Sequence, residues 1–245
     1  VQSGGFIFNN QGSVFTTDTS RIDNHGTITN NHGNIYTYYL DNYSGGEISN
    51  SGGMTNSFAV NNYAIINNYG SFSNDVGGTV ELFSGSTFTN AATKTITNSA
   101  VFVIDQGAVL DNYGTIKNGE NANFASALMT NKGNIYNKPG SAIKNDGTII
   151  ITNVGGTPLG YIFNGGTITN NYDAQNGQTP IIYTYNPNNA NTGSAGAIQN
   201  GMSYDSSNYG GSIINNIGAK LDNQYGVIDN SAFSSYGSTI SNYGN

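Results

Sequence analysis

The residues able to do chemistry are few. The 245-residue chain holds two histidines, fourteen carboxylates and seven cations, and has neither Cys nor Trp. His25 and His32 each stand just before a glycine. Facing each other on adjacent strands they would make a weak metal site, but no His-x-x-x-His, cysteine pair or EF-hand loop joins them. Both read as corner residues. Asp23, Asp41, Asp111, Asp222 and Asp229 recur in Ile/Leu-Asp-Asn triplets. Glycoside cleavage needs two carboxylates about 5–10 Å apart, which stacked strands would supply. These five, however, recur along the whole chain as interchangeable surface positions, and a lyase base is short of candidates because Arg21 is the sole arginine. No catalytic, cofactor-binding or metal-binding residue is assigned, and the chain is read as a non-enzyme.

Tyrosine is the more telling side chain. Tyr43, Tyr63, Tyr69, Tyr113, Tyr172, Tyr209, Tyr225 and Tyr243 each follow an Asn or Gln that precedes a turn. Set at one corner of a repeating structure, they would form a half-exposed aromatic row. Such a row serves as a stacked ladder, as a subunit contact or as a sugar-stacking surface, since Tyr is enriched at interfaces. Tyr43, Tyr69, Tyr113, Tyr209, Tyr225 and Tyr243 are therefore the candidate contact aromatics, with another copy of the chain or a polysaccharide as partner. Asn42-Tyr43-Ser44 is a glycosylation sequon, a pattern that also arises by chance.

Composition narrows the partners. Only 9% of residues are charged, against roughly 25% in ordinary globular domains, and the net charge is -7. A nucleic-acid surface needs clustered cations, and Arg21, Lys94, Lys117, Lys132, Lys138, Lys144 and Lys220 are the whole supply. No apolar run approaches the roughly 18 residues of a membrane helix. Gly lacks a three-residue period, which excludes collagen. The 17 Tyr and 11 Phe speak against disorder.

The elements that position these residues come from a repeat. The unit Gly-x-(Ile/Val/Leu/Phe)-x-Asn returns at Gly26–Asn30, Gly46–Asn50, Gly70–Asn74, Gly114–Asn118, Gly133–Asn137, Gly166–Asn170 and Gly226–Asn230. Apolar and polar residues alternate as in a half-buried strand. The Asn and Gly that follow tolerate positive φ and so permit a tight corner. Strands this short bury an apolar face only by stacking on equivalents one turn away. The predicted fold is therefore all-β, a parallel β-helix-like β-solenoid of about a dozen irregular coils of roughly 18–22 residues, near 55 Å long. In each Ile-x-Asn the Ile points inward, and the Asn turns in to bond the Asn of the next coil. With 41 Asn in the chain, ladders account for them better than separate sites. Residues 1–245 form one domain, with a small loop at Gly119–Ala127 and a protruding excursion over 172–196. Within that excursion Ile181–Tyr185 still reads as a strand.

Both ends of the sequence read as repeat, Phe6-Ile7-Phe8 at one and Ile240 with Tyr243 at the other. No helix or charged strand is predicted to cover either edge, so these residues are expected to carry head-to-tail assembly. The Gly-Thr-Ile-x-Asn units at 26–30, 114–118 and 166–170 resemble repeats of secreted β-solenoid surface proteins, including bacterial adhesin passenger domains. The Asn-, Gly- and Tyr-rich, cysteine-free character is also similar to sheath and surface-layer proteins of methanogenic archaea. The sheath resemblance implies an extracellular homopolymer, and the adhesin resemblance implies attachment. The expected function is a self-assembling structural protein of the cell surface, with a carbohydrate-binding rod as the alternative.

Overall fold

The computed structural model describes residues 1–15, 21–119, 127–152, 160–171, 180–185, 197–200, 202–204, 207–217, 219–224, 227–230 and 238–243. Strands and turns account for the structure, and no helix occurs among the described residues. The four-residue unit explains why. In Thr27–Asn30, Thr95–Asn98 and Thr115–Asn118 the second and fourth residues are buried and the first and third are not. Such alternation fits a strand with one face on a core.

These strands build three faces of a solenoid. Face 1 is a ten-stranded parallel sheet running from Phe6–Asn9 to Val227–Asp229. Face 2 runs from Ser13–Phe15 to Thr239–Asn242, and face 3 from Arg21–Asn24 to Lys220–Gln224. Faces 2 and 3 belong to one 17-stranded sheet because Asn34–Asn42 and Gly53–Asn62 continue around the corner between them. A single coil, the fifth, consists of Thr87–Asn90, Thr95–Asn98 and Val101–Ile104. Register is strict: Ile28 lies over Ile7, Ile48 over Ile28, Ile66 over Ile48, and Phe88 and Leu110 follow.

Three apolar columns thus meet at the axis. Ile28, Ile48, Ile66, Phe88 and Leu110 from face 1 join Phe72, Ile96 and Ile116 from face 2, and Val60, Val80 and Phe102 from face 3. Each fully buried large side chain contributes about 1.5–3 kcal/mol. Phe72 and Phe88 meet edge to face at 5.1 Å across adjacent turns, and Phe88 and Phe102 of one coil pack tilted at 6.1 Å.

Corners take two forms. In the tight form, Asn-x-Gly, the Gly114 amide donates to Asn112 Oδ1 at 3.2 Å. A Cβ on Gly114 would run into the Lys94 carbonyl oxygen of the coil below, so glycine is needed there for close approach. The wide form is a four-residue turn such as Asp105–Ala108, where the Ala108 amide donates to the Asp105 carbonyl at 2.9 Å and Gly107 has φ +81°. The positive φ expected of the Asn and Gly corners is found at Gly119, directly after Asn118, with φ +101°, whereas in the wide turns it belongs to a glycine such as Gly107. Among the described residues Thr93, with φ 65°, is the non-glycine in that conformation.

The coil count is lower than expected. Among the described residues face 1 has ten strands, so ten turns are seen rather than about a dozen, a stack of about 45 Å. Equivalent Asn residues lie 18 to 22 apart up to Asn112, but 25, 27, 36 and 30 apart from there to Asn230. Ile181–Tyr185 is a strand, as expected, and pairs with Thr148–Thr152 and Lys220–Gln224 on face 3. The remainder of the predicted excursion, 172–179 and 186–196, lies outside the described residues, as does 120–126 of the predicted loop. An antiparallel pair, Met202–Tyr204 with Ser207–Tyr209, was not foreseen.

Candidate functional site

The repeated polar feature of the molecule is inside it. On face 1, Asn9, Asn30, Asn50, Asn68, Asn90, Asn112, Asn137, Asn164, Asn200 and Asn230 are joined by nine amide–amide hydrogen bonds of 2.7–3.0 Å. Face 2 repeats the device from Asn56 to Asn242 with seven bonds. Every bond runs the same way, Nδ2 of one coil to Oδ1 of the next. Asn112 shows the full set: Nδ2 reaches Asn137 Oδ1 at 2.8 Å and the Ala142 carbonyl at 3.1 Å, while Oδ1 accepts from Asn90 Nδ2 and the Gly114 amide. A buried amide so satisfied avoids the penalty of an unpaired one.

Face 3 begins alike, with Asn24, Asn42 and Asn62 bonded in series at 2.7 and 2.8 Å. It then substitutes Leu82 and Ile104, returns to Asn131, and passes through Ile151 and Thr184 to Asn223. Among the described residues two buried hydroxyls are left without a partner: Thr37, which takes the Asn place beneath Asn56, and Ser86, at a corner of face 3 after Leu82.

The candidate tyrosines do not share one row; they divide among the corners. Tyr43 follows Asn42 where face 3 turns into face 1. There His25, Tyr43, Tyr63 and Phe83 stack in sequence at 4.4, 6.0 and 4.1 Å, within 9° of parallel. Tyr69 and Tyr113 follow Asn68 and Asn112 at the corner from face 1 to face 2, with Ala91 of the fifth coil between them. Tyr69 is 47% exposed, while Tyr113 carries the Lys138 ammonium 5.5 Å from its ring. Tyr243 lies at the third corner and is 64% exposed. Tyr209 is a strand residue of the antiparallel pair, and Tyr225 lies outside the described residues. Of the end-coil residues, Ile7 packs against the core and Phe8 points outward at 59% exposure. Phe6 pairs in register with Thr27, and Ile240 is stacked over Ile213.

Ring faces in the corner stack are turned on one another: Tyr43 lies between His25 and Tyr63, and Tyr63 between Tyr43 and Phe83. Sugar stacking needs a free face, and neither Tyr43 nor Tyr63 has one in this stack. A second stack, Tyr136 on Phe163 at 4.9 Å with Lys138 over Tyr136 at 4.7 Å, occupies face 1 and was not singled out in the sequence. Adjacent outward aromatics one coil apart were its signal.

Four of the five candidate carboxylates, Asp23, Asp41, Asp111 and Asp222, are held by cations. Arg21 pairs with Asp23 at 2.7 Å and with Asp41, and donates to the Tyr43 hydroxyl at 2.8 Å. Lys138 holds Asp111 at 3.0 Å, Lys220 holds Asp222 at 2.6 Å, and Asp229 lies on face 1 over Gln199. The bond to Asp23, then the Asp41 charge, raises the Arg21 pKa, and the bond to Asp222 raises that of Lys220. His25 and His32 stand at opposite ends of Thr27–Asn30, so they do not face each other. Among the described residues no group of three or more His, Asp or Glu is placed to hold a metal.

One acidic pair escaped the sequence reading because its members sit at unlike repeat positions. Glu81, on face 3, hydrogen-bonds Asp105 at the next coil's corner, and Lys132 holds Asp105 at 2.9 Å. Burial first, then the Asp105 charge, pushes Glu81 above the usual carboxylate range, and burial with the Asp41 and Glu81 charges raises Tyr63. The two carboxyls are in direct contact, closer than glycoside cleavage requires. The sequon is sealed: Asn42 is fully buried, its amide bonded to Asn62 and to the Ile65 carbonyl.

No protein-family model matches the chain, and comparison with curated proteins and with solved structures finds no match. What the geometry defines is a class by architecture, a three-faced parallel β-solenoid with internal asparagine ladders.

Proposed function

We propose that this chain is a non-enzymatic structural protein of the cell exterior, whose copies stack coil on coil into a sheath, surface layer or filament. The observation carrying this reading is the pair of unbroken Asn ladders on faces 1 and 2. Their bonds are spent on the long axis, identical from coil to coil, and not on one concave site. A junction between two copies that repeats the same register needs no new chemistry. Sparse charge, 9% of residues, leaves little repulsion to oppose it. The resemblance to methanogen sheath and surface-layer proteins agrees with this, and Tyr43 and Tyr63, stacked between His25 and Phe83 at the corner from face 3 to face 1, speak less for an adhesin.

Unstained electron microscopy of concentrated protein is the test. Continuous filaments or tubes with an axial repeat near 4.8 Å are expected. Dispersed rods of about 45 Å at every concentration would sink the proposal.

A further inference from the structure

The three faces differ in what they turn outward, and face 3 is the unusual one. Over the fifth to eighth coils it consists of Val101–Ile104, Leu128–Asn131, Thr148–Thr152 and Ile181–Tyr185, stacked in register. Six of the eight positions that alternate away from the core there are aliphatic or aromatic: Val101, Val103, Leu128, Ile150, Ile181 and Tyr183. The other two are threonines, and none is charged. The same four coils of face 2 turn out five threonines, two lysines and one alanine. Strand propensity does not explain the difference, because threonine suits a strand as valine does and face 2 forms the same strands. Scattered apolar residues on a surface need no explanation, whereas a contiguous patch marks a contact.

The patch has the anatomy of an interface, an apolar centre with a polar rim. Toward the first coil stand Arg21, Asp23, Asp41 and Glu81, and toward the last stand Lys220 and Asp222. These charges have partners on their own side of the rod. Arg21 holds Asp23 and Asp41, Lys220 holds Asp222, and Glu81 is bonded to Asp105, which Lys132 holds. Face 3 runs through nine strands, so at four residues each it measures about 40 Å by 13 Å. Two such faces laid together cover about 1,000 Å² in all, the least that a specific interface needs. Interdigitating side chains add to that area.

We propose that face 3 binds face 3 of a second copy, sheet against sheet, with the apolar residues of the fifth to eighth coils at the centre. The occupant follows from shape and charge. A second copy presents the same strands at the same spacing of about 4.8 Å, and a patch meeting its own image closes as a twofold pair. Two molecules of net charge -7 repel each other as wholes. Contact therefore falls where charges are already paired and apolar area is there to bury. The proposal rests on the structural reading for its purpose: stacking coil on coil yields a filament alone, and a sheath or layer needs a sideways bond as well.

The test is sedimentation of the full chain across a concentration series, with lysines placed on one face or another. Val103→Lys/Ile150→Lys should raise the concentration at half-dimer by more than about tenfold, because it buries unpaired charge. Thr29→Lys/Thr89→Lys, the same load on face 1, should pair as the parent does, and both variants should keep the parent's circular dichroism spectrum. The chain has no Cys, so Thr130→Cys puts a single thiol at the centre of the patch. Packed sheets lie about 10 Å apart, so a bismaleimide spanning about 12 Å should link two copies there. End-to-end stacking alone leaves those thiols about 45 Å apart. A monomer at every concentration, the sign that the chain covers this face itself, overturns the proposal. So does a dimer that the face 3 lysines leave intact, equal weakening by the face 1 lysines, or a thiol that does not link. Filaments are scored separately by microscopy: filaments without sideways pairs remove this proposal alone, and sideways pairs without filaments remove the structural reading alone.

Discussion

Asn112 sits between two asparagines and uses both ends of its amide, whereas Asn131 sits between Ile104 and Ile151 and bonds only backbone, the Tyr161 carbonyl at 2.8 Å and the Gly133 amide at 3.2 Å. The same residue type in the same repeat position therefore has two different values. Asn112→Ala is expected to cost about 2–4 kcal/mol, because it orphans partners on two coils. Asn131→Leu should cost about 1 kcal/mol, since a leucine there meets apolar neighbours as Leu82 and Ile104 already do. Urea melts of the two variants decide it; equal losses would mean the ladder adds nothing beyond burial. Glu81 offers a second residue-scale prediction. Its pKa is raised in the folded state, so the stability it contributes is full below the ordinary carboxylate range and is lost as pH rises through the folded value. Glu81→Gln should melt with the parent below about pH 4 and above it at neutral pH, which thermal melts across that range would show. The inward Asn was legible in the repeat because no other role suits so many amides. The Leu82, Ile104 and Ile151 exceptions were not, because an apolar fourth residue in a short strand leaves no mark on the alternation.

Corners decide how elements follow one another, and they were the least legible part. Sequence alone allows positive φ at the Asn and Gly of any corner, yet the tight corner uses glycine for proximity, as Gly114 does against Lys94. The left-handed glycines, such as Gly107 and Gly140, belong to the four-residue turns. Distinguishing them requires knowing what lies one coil below, a contact some twenty residues distant in the sequence. Thr93 holds the glycine place of such a turn with φ 65°, a conformation that is strained for a β-branched residue. Thr93→Gly is therefore expected to stabilise by about 0.5–1 kcal/mol, seen as a higher melting temperature. A lower one would show that the threonine side chain contributes more than its backbone costs.

At the scale of the whole molecule, fold class followed from the period and the coil number did not. Strand centres mark coils faithfully while connections stay short, but after Asn112 the spacing between ladder partners grows to as much as 36 residues. The tyrosine row failed for a related reason: a coil with three corners distributes equivalent Asn-Tyr pairs among three edges, and the sequence does not say which. The pairing of Lys117 with Lys144 was equally hidden, since they are 27 residues apart in the chain and adjacent in register.

The ladders also give the rod an electrical direction. Backbone amides in a parallel sheet alternate in sense and largely cancel, but the side-chain amides of faces 1 and 2 all point the same way, N–H toward the later coils and C=O toward the earlier ones. Each amide carries a dipole of about 3.5 D, and their axial components add. The molecule is thus an electret in miniature, positive toward its later coils. Two rods lying side by side attract when antiparallel and repel when parallel, whereas rods in line attract only when they point the same way.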